Sequence, residues 1–120
     1  GIRVSLFIEP ELAQLNAAVA VGAPVVELHT GTYAELEGAA QADEFVRIKT
    51  AAAHAEAIGL ECHAGHGLTY NNVAPVAAIN NIVELNIGHF LIGEAIFTGL
   101  DAAVKQMRAL MDEAQAESAR

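Results

Sequence analysis

The sequence predicts an α/β fold in which four short parallel strands alternate with helices. The chain has 120 residues and is 53% hydrophobic, enough for one packed core. It has no Trp and only six Phe and Tyr, so the core is mostly aliphatic, as is typical of helices laid over β-branched strands. Four β-rich runs recur, each followed by a helix-like segment: Arg3–Glu9, Pro24–Thr30, Leu60–Ala64 and Ile82–Ile87.

The first two linking segments carry helix signals. Pro10 suits the first helical position, and we expect a helix from Pro10 to Val21 with one apolar face at Leu12, Leu15 and Val19. In the second segment, Thr32 and Glu35 match a capping box. Gly38 divides the stretch from Tyr33 to Ile58 into a short turn and a main helix that carries Phe45, Ile48 and Ala52.

Two more helices are predicted in the second half. Residues Thr69–Asn72 resemble a cap that leads into a short helix through Val73, Val76 and Ile79. The last helix should begin near Thr98, which with Asp101 forms a second capping box, and should place Leu100, Val104, Met107 and Met111 on one stripe. The end, Glu113–Arg120, is expected to fray.

Alternation along the strands predicts a polar face. The side chains that share this face are Arg3, Ser5, Glu27, His29, Glu61, His63, Glu84 and Asn86. A parallel sheet covered by helices on both faces would be apolar throughout. Helices on one side and charges on the other are typical of a barrel wall, whose interior charges must be bonded to one another or to ligand.

Composition restricts the partners. Six Lys and Arg against fifteen Asp and Glu give a formal charge of −9, which argues against nucleic acid and anionic membranes. Cys62 is the only cysteine, and no apolar run approaches the ~20 residues of a membrane span. There is no signal-peptide pattern at the start, and we expect a cytoplasmic protein.

Two strand ends carry glycines and a histidine, in Gly65-His66-Gly67 and in Gly88-His89. Glycine lets the backbone bend and approach a ligand closely, although one such turn alone can be purely structural. Two of them together favour a phosphate site, because barrels often bind phosphate with the loops after their last two strands. The candidate phosphate-binding residues are Gly67, Gly88 and His89.

His66 and Glu27 are the candidate catalytic residues. An imidazole titrates near ~6.5 and can act as general acid or base, although His66 can also be a structural cap. Glu27 can polarise a substrate together with His29, or it can simply neutralise Arg3. A metal site is the rival interpretation because His29, His63, His66 and His89 all lie at or near strand ends. No metal-binding motif is present, however, and we predict neither metal nor cofactor.

These segments resemble one known family. Val4-Ser-Leu-Phe-Ile8, Val26-Glu-Leu-His-Thr-Gly31, Ala64-Gly-His-Gly-Leu-Thr-Tyr70 and Glu84-Leu-Asn-Ile-Gly-His89 are similar to the C-terminal half of pyridoxine 5'-phosphate synthase. The resemblance implies four β/α units of a TIM (β/α)₈ barrel, with the helices on its outer face. It also implies a transferase of vitamin B6 synthesis, which condenses 3-amino-2-oxopropyl phosphate with 1-deoxy-D-xylulose 5-phosphate and releases phosphate and water.

The same resemblance implies roles for particular residues. His66 would be the proton donor, Glu27 a transition-state stabiliser, and Gly67, Gly88 and His89 the cradle for the phosphate of the amino-ketone. Family members have eight β/α units, and the missing first half would carry another catalytic histidine, a catalytic glutamate and basic residues.

Because half a barrel exposes its strand edges, we expect it to pair with a second copy, with the missing N-terminal half supplied separately, or with further residues of a longer chain. Two alternatives to the complete enzyme stay open. One is a non-catalytic half barrel that oligomerises and binds a phosphorylated ligand. The other is a metal-dependent barrel hydrolase.

Overall fold

The fold is a four-stranded parallel sheet with helices between its strands, in a computed structural model that describes all 120 residues. The strands lie side by side in chain order: β1 (Ser5–Ile8), β2 (Val25–His29), β3 (Glu61–Gly65) and β4 (Ile82–Asn86). The helices are α1 (Leu12–Ala20), α2 (Gly31–Glu35), α3 (Gly38–Ala57), α4 (Val73–Ala77), α5 (His89–Thr98) and α6 (Leu100–Ser118). The predicted four β/α units are confirmed.

The hydrophobic core lies on one face of the sheet. Val26 and Leu28 of β2 and Ala64 of β3 are fully buried there against the helices. Leu15 of α1 and Ile48 of α3 pack in the same cluster, and so do the small residues Ala51, Ala52 and Ala55. Alanines let α3 approach the sheet closely, so this helix buries a continuous stripe although it has few large side chains.

The other face of the sheet is polar, as the alternation predicts. Adjacent strands place Phe7, Glu27, His63 and Glu84 in one cross-strand row. His63 Nε2 lies 2.7 Å from Glu61 Oε1, and its Nδ1 lies 3.5 Å from Glu84 Oε1. Arg3 binds the other oxygen of Glu61. Apart from Glu27, these groups are therefore paired with one another, as expected for a barrel interior.

Both predicted capping boxes are wrong. Thr32 lies inside α2 rather than before it, and no side chain caps that helix. The hydroxyl of Thr98 donates to the Glu94 carbonyl one turn back, so it belongs to the end of α5 and cannot cap α6. The first helix also begins later than predicted, at Leu12, so that Glu11 is the flanking residue and Pro10 precedes the helix instead of occupying its first position.

The C-terminal part of the chain differs most from the prediction. Helix α5 was not predicted, because its sequence is apolar on all sides and shows no amphipathic period. In α6 the buried residues are Ala103, Met107 and Ala114, whereas Leu100 and Val104 of the predicted stripe are largely exposed. The expected fraying at Glu113 is also wrong: the helix continues to Ser118, whose hydroxyl donates to the Ala78 carbonyl.

The sheet is open at both edges. Strand β1 pairs only with β2, and β4 pairs only with β3. Apolar side chains are exposed beside these edges: Ile2, Val4, Leu12 and Val19 near β1, and Leu100 and Val104 on α6. No helix combines the length and the apolar character needed to cross a membrane.

Candidate active site

A cavity of about 590 Å³ opens at the carboxyl ends of the strands. Its lining brings together all five predicted site residues: Glu27, His66, Gly67, Gly88 and His89. They come from three different β/α units, so only the folded sheet assembles them. A second cleft of about 600 Å³ lies near Asn80 and Asn81, before the start of β4, and contains none of these residues.

His66 stands in an unusual backbone conformation directly after β3. Its φ of 88° makes it the only residue other than glycine with positive φ. Such a conformation costs roughly 1–2 kcal/mol for a residue with a Cβ. The buried hydroxyl of Thr30 stabilises it by donating to the His66 carbonyl at 2.7 Å, and the Thr30 N–H binds the Gly65 carbonyl. The end of β2 therefore fixes the turn that exposes the His66 side chain.

Gly67 continues this turn with φ of +79°. A Cβ there would lie 2.7 Å from the Cβ of Ala34 in α2, closer than side-chain atoms approach each other. The following residues are tied down as well, because the Thr69 N–H donates to the Asn72 side chain and Tyr33 donates to the Asn72 carbonyl. Glycine is therefore required at position 67 for both conformation and space.

Glu27 reaches into the cavity across β3. Its Oε1 occupies the space where a side chain at Gly65 would be, only 2.3 Å from the position of a Cβ, and the backbone of Asn86 lies just beyond. Burial raises the pKa of the Glu27 carboxyl, and the nearby Glu84 adds to the rise. His63, Asn86 and His29 act in the opposite direction. The missing side chain at Gly65 therefore allows a carboxylate to lie in the middle of the site.

The second glycine-containing turn, Gly88-His89, leads directly into helix α5. Gly88 immediately precedes α5, and the first bond of that helix runs from the Ile92 N–H to the Gly88 carbonyl. The N–H groups of the preceding residues His89, Phe90 and Leu91 have no backbone acceptor. Gly88 and His89 are exposed to the cavity, and a Cβ at Gly88 would meet nothing. Free amides at the start of a helix favour an anion.

Tyr70 connects the two turns. Its ring packs edge-on against Phe90 of α5, with 4.6 Å between ring centroids, and its hydroxyl donates to the Ala103 carbonyl of α6 at 3.1 Å. The loop that carries His66 is thereby fixed to the helix start that follows β4. This contact joins sequence-distant elements, so no local pattern predicted it.

Sequence reasoning missed Phe7 and Asn86 as lining residues and Gly31 as a contact of His66. The alternation placed Asn86 on the polar face without giving it a role. Of the two uses considered for Glu27, neutralising Arg3 is wrong, because Arg3 pairs with Glu61. His63 is engaged by Glu61 and Glu84, and no three His, Cys, Asp or Glu side chains converge as metal ligands.

Comparisons with known proteins identify the family of the chain. A family model described as "Pyridoxal phosphate biosynthesis protein PdxJ" matches residues 1–113. A pyridoxine 5'-phosphate synthase of Rhodospirillum rubrum is 67% identical over 95% of this chain and 46% of its own length. Proteins of the same name from Zymomonas mobilis and Gluconobacter oxydans are 62% and 57% identical, over 98% and 93% of this chain. The chain spans about half the length of these relatives, 46% and 47% for the last two.

Replacing Gly67 by alanine tests the turn. We expect Gly67→Ala to destabilise the protein by more than the ~1–2 kcal/mol of positive φ alone, because the new methyl group also meets Ala34. Gly22→Ala is the matched control, since Gly22 has a similar φ of +82° and open space around it. Urea denaturation measures both. Equal losses of stability would show that the close approach to Ala34 has no cost.

Replacing Glu27 by glutamine tests whether burial of its carboxyl destabilises the folded protein. A carboxyl whose pKa is raised by folding destabilises the folded state when it is ionised. We therefore expect Glu27→Gln to raise the melting temperature at pH 7. The gain should shrink as the pH falls toward 4.5, the ordinary pKa of the group. Glu117→Gln, at an exposed position of α6, controls for the loss of one negative charge. A gain that grows toward low pH would contradict this account.

Proposed function

Because this chain belongs to the PdxJ family of pyridoxal phosphate biosynthesis proteins, we propose that it supplies one half of a pyridoxine 5'-phosphate synthase active site. The reaction is the condensation of 3-amino-2-oxopropyl phosphate with 1-deoxy-D-xylulose 5-phosphate to pyridoxine 5'-phosphate, phosphate and water. The observation that carries the proposal is the convergence of Glu27, His66 and the start of α5 on one cavity.

We assign proton donation to His66. Its imidazole is exposed to the cavity on a turn that Thr30 and Gly67 hold in a single conformation. A histidine can donate a proton near neutral pH without a large change of its environment. A fixed position matters because proton transfer requires hydrogen-bonding distance to the reacting atom.

We assign transition-state stabilisation to Glu27. The carboxylate lies over Gly65 at the centre of the site, where a cationic centre of the amino-ketone would be within its reach. Its neighbours act on it in both directions, since Glu84 disfavours ionisation whereas His63 and Asn86 favour it. Burial is the largest influence and the net effect is a raised pKa of the Glu27 carboxyl, which favours its accepting a proton, while its ionised form can stabilise positive charge.

We assign the phosphate of the amino-ketone to the start of α5. The amides of His89, Phe90 and Leu91 are free of backbone acceptors, and Gly88 leaves open space beside them. Gly67 faces the same cavity from the neighbouring turn. A local cradle of this kind binds phosphate in a protein with a formal charge of −9, because amide N–H groups need no net positive charge nearby.

We propose that the second half of the site comes from another polypeptide segment. The open edges of β1 and β4 and the exposed apolar side chains beside them support pairing with such a segment. We propose that an N-terminal barrel half or a second copy of this chain fills this role, in the cytoplasm. A non-catalytic half barrel that only binds a phosphorylated ligand is the alternative, favoured by the same open edges.

Substitution of His66 tests the catalytic role. In the protein assembled with its barrel partner, His66→Asn should reduce turnover by about 10²–10⁴-fold, the usual contribution of a general acid. Binding of 3-amino-2-oxopropyl phosphate should be nearly unchanged, because the amides of α5 are untouched. Product formation and calorimetric titration measure the two effects. Loss of binding with normal turnover of bound substrate would reassign His66 to substrate binding.

The state of association tests the partner. We expect the purified chain to form dimers or larger multiples, seen by native mass spectrometry, and to lose them in Val4→Lys beside β1. Val46→Lys is the control, because Val46 is 59% exposed on α3, the helix between β2 and β3. A stable monomer that makes product from both substrates would disprove the need for a partner.

A further inference from the structure

Three rings from three β/α units pack together beside the cavity. The centroids of His29 and His66 are 4.8 Å apart, with 31° between the ring planes. Phe7 packs edge-on against His29 at 5.2 Å. His29 does not line the cavity, whereas Phe7 and His66 do. The His66 imidazole therefore packs against a second imidazole that is not part of the cavity lining.

The backbone of Gly31, the first residue of α2, lies close to both imidazoles. A Cβ on Gly31 would lie 2.5 Å from Cε1 of His29 and 2.8 Å from Cδ2 of His66. The φ of Gly31 is outside the left-handed region, so glycine is needed here for space and not for conformation. The fully buried Gly31 thus lets the two rings approach each other.

The carboxylate of Glu9 lies near Nδ1 of the His29 ring. This Nδ1 is buried without a hydrogen-bond partner, 3.3 Å from Oε1 of Glu9. Arg47 of α3 lies 3.5 Å from the other oxygen of Glu9 and also pairs with Glu11 and Glu44. The His29 ring is thereby enclosed by Phe7, Gly31, Glu9 and His66, and only a quarter of its side chain is exposed.

We propose that His29 is a positioning residue for His66. Its ring supports one face of the His66 imidazole and directs it toward the cavity. This inference rests on the proposed role of His66 as proton donor. The competing explanation is a proton relay from Glu9 through His29 to His66, which would need the ring nitrogens of His29 and not its flat shape.

Kinetics of variants in the assembled protein distinguish the two explanations. His29→Ala removes the support and Gly31→Ala pushes the rings apart, so both should lower kcat by about 10²-fold, the cost of misplacing a reacting group by ~1 Å, with little change of KM. His29→Phe keeps a flat ring without nitrogens and should keep most of the turnover. Gly93→Ala is the control, because a Cβ there meets nothing.

The kinetic results can overturn the proposal in two ways. If His29→Phe loses as much turnover as His29→Ala, the nitrogens matter and the relay explanation replaces positioning. If His29→Ala keeps full turnover, His29 has no role in the reaction.

A spectroscopic measurement separates this proposal from the proposed function. Stacking on a second ring shifts the ring-proton resonances of His66, and this shift should disappear in His29→Ala and persist in His29→Phe. If His66→Asn proves fully active but the shift behaves as described, the proposed proton donor is wrong whereas the packing is right. If the shift is the same in all three proteins, the rings do not stack and the positioning role is wrong.

Discussion

The structure depends on the separation of polar and apolar side chains between the two faces of one parallel sheet. Leu28 and Ala64 are buried under the helices, whereas their neighbours Glu27 and His63 point to the opposite face. Because side chains alternate strictly along a strand, burying one set places the other at the barrel interior. Every group of the candidate site stands at the upper end of that interior.

Missing side chains shape the site as much as the present ones do. Gly65 gives room to the carboxylate of Glu27, Gly31 to two imidazoles, and Gly67 to the methyl group of Ala34. Gly65 ends β3, and Gly31 and Gly67 each lie two residues past the end of a strand. The reactive groups therefore reach their positions because neighbouring backbones come closer than any alanine would permit.

Local patterns in the sequence were sufficient for the strands, the polar face and five of the ten residues that line the cavity, since alternation and the glycine-histidine turns are both short-range signals. They failed where contacts are long-range. The role of Phe7 depends on β2 and on the turn after β3, which only the folded sheet brings together. Helix α5 was missed because its apolar residues surround the whole helix. At its end, the Thr98 hydroxyl donates to the Glu94 carbonyl one turn back and does not cap the next helix.

The order of the strands gives the sheet a direction. One edge presents β1 and the other presents β4, so copies that continue the parallel sheet would pair β4 of one with β1 of the next, which joins unlike edges head to tail. Head-to-tail contacts add further chains without limit unless they close into a ring. Eight strands satisfy this condition, and a geometry that misses closure would instead add chains one after another into a filament. The curvature of this sheet thus decides between a discrete particle and an open polymer.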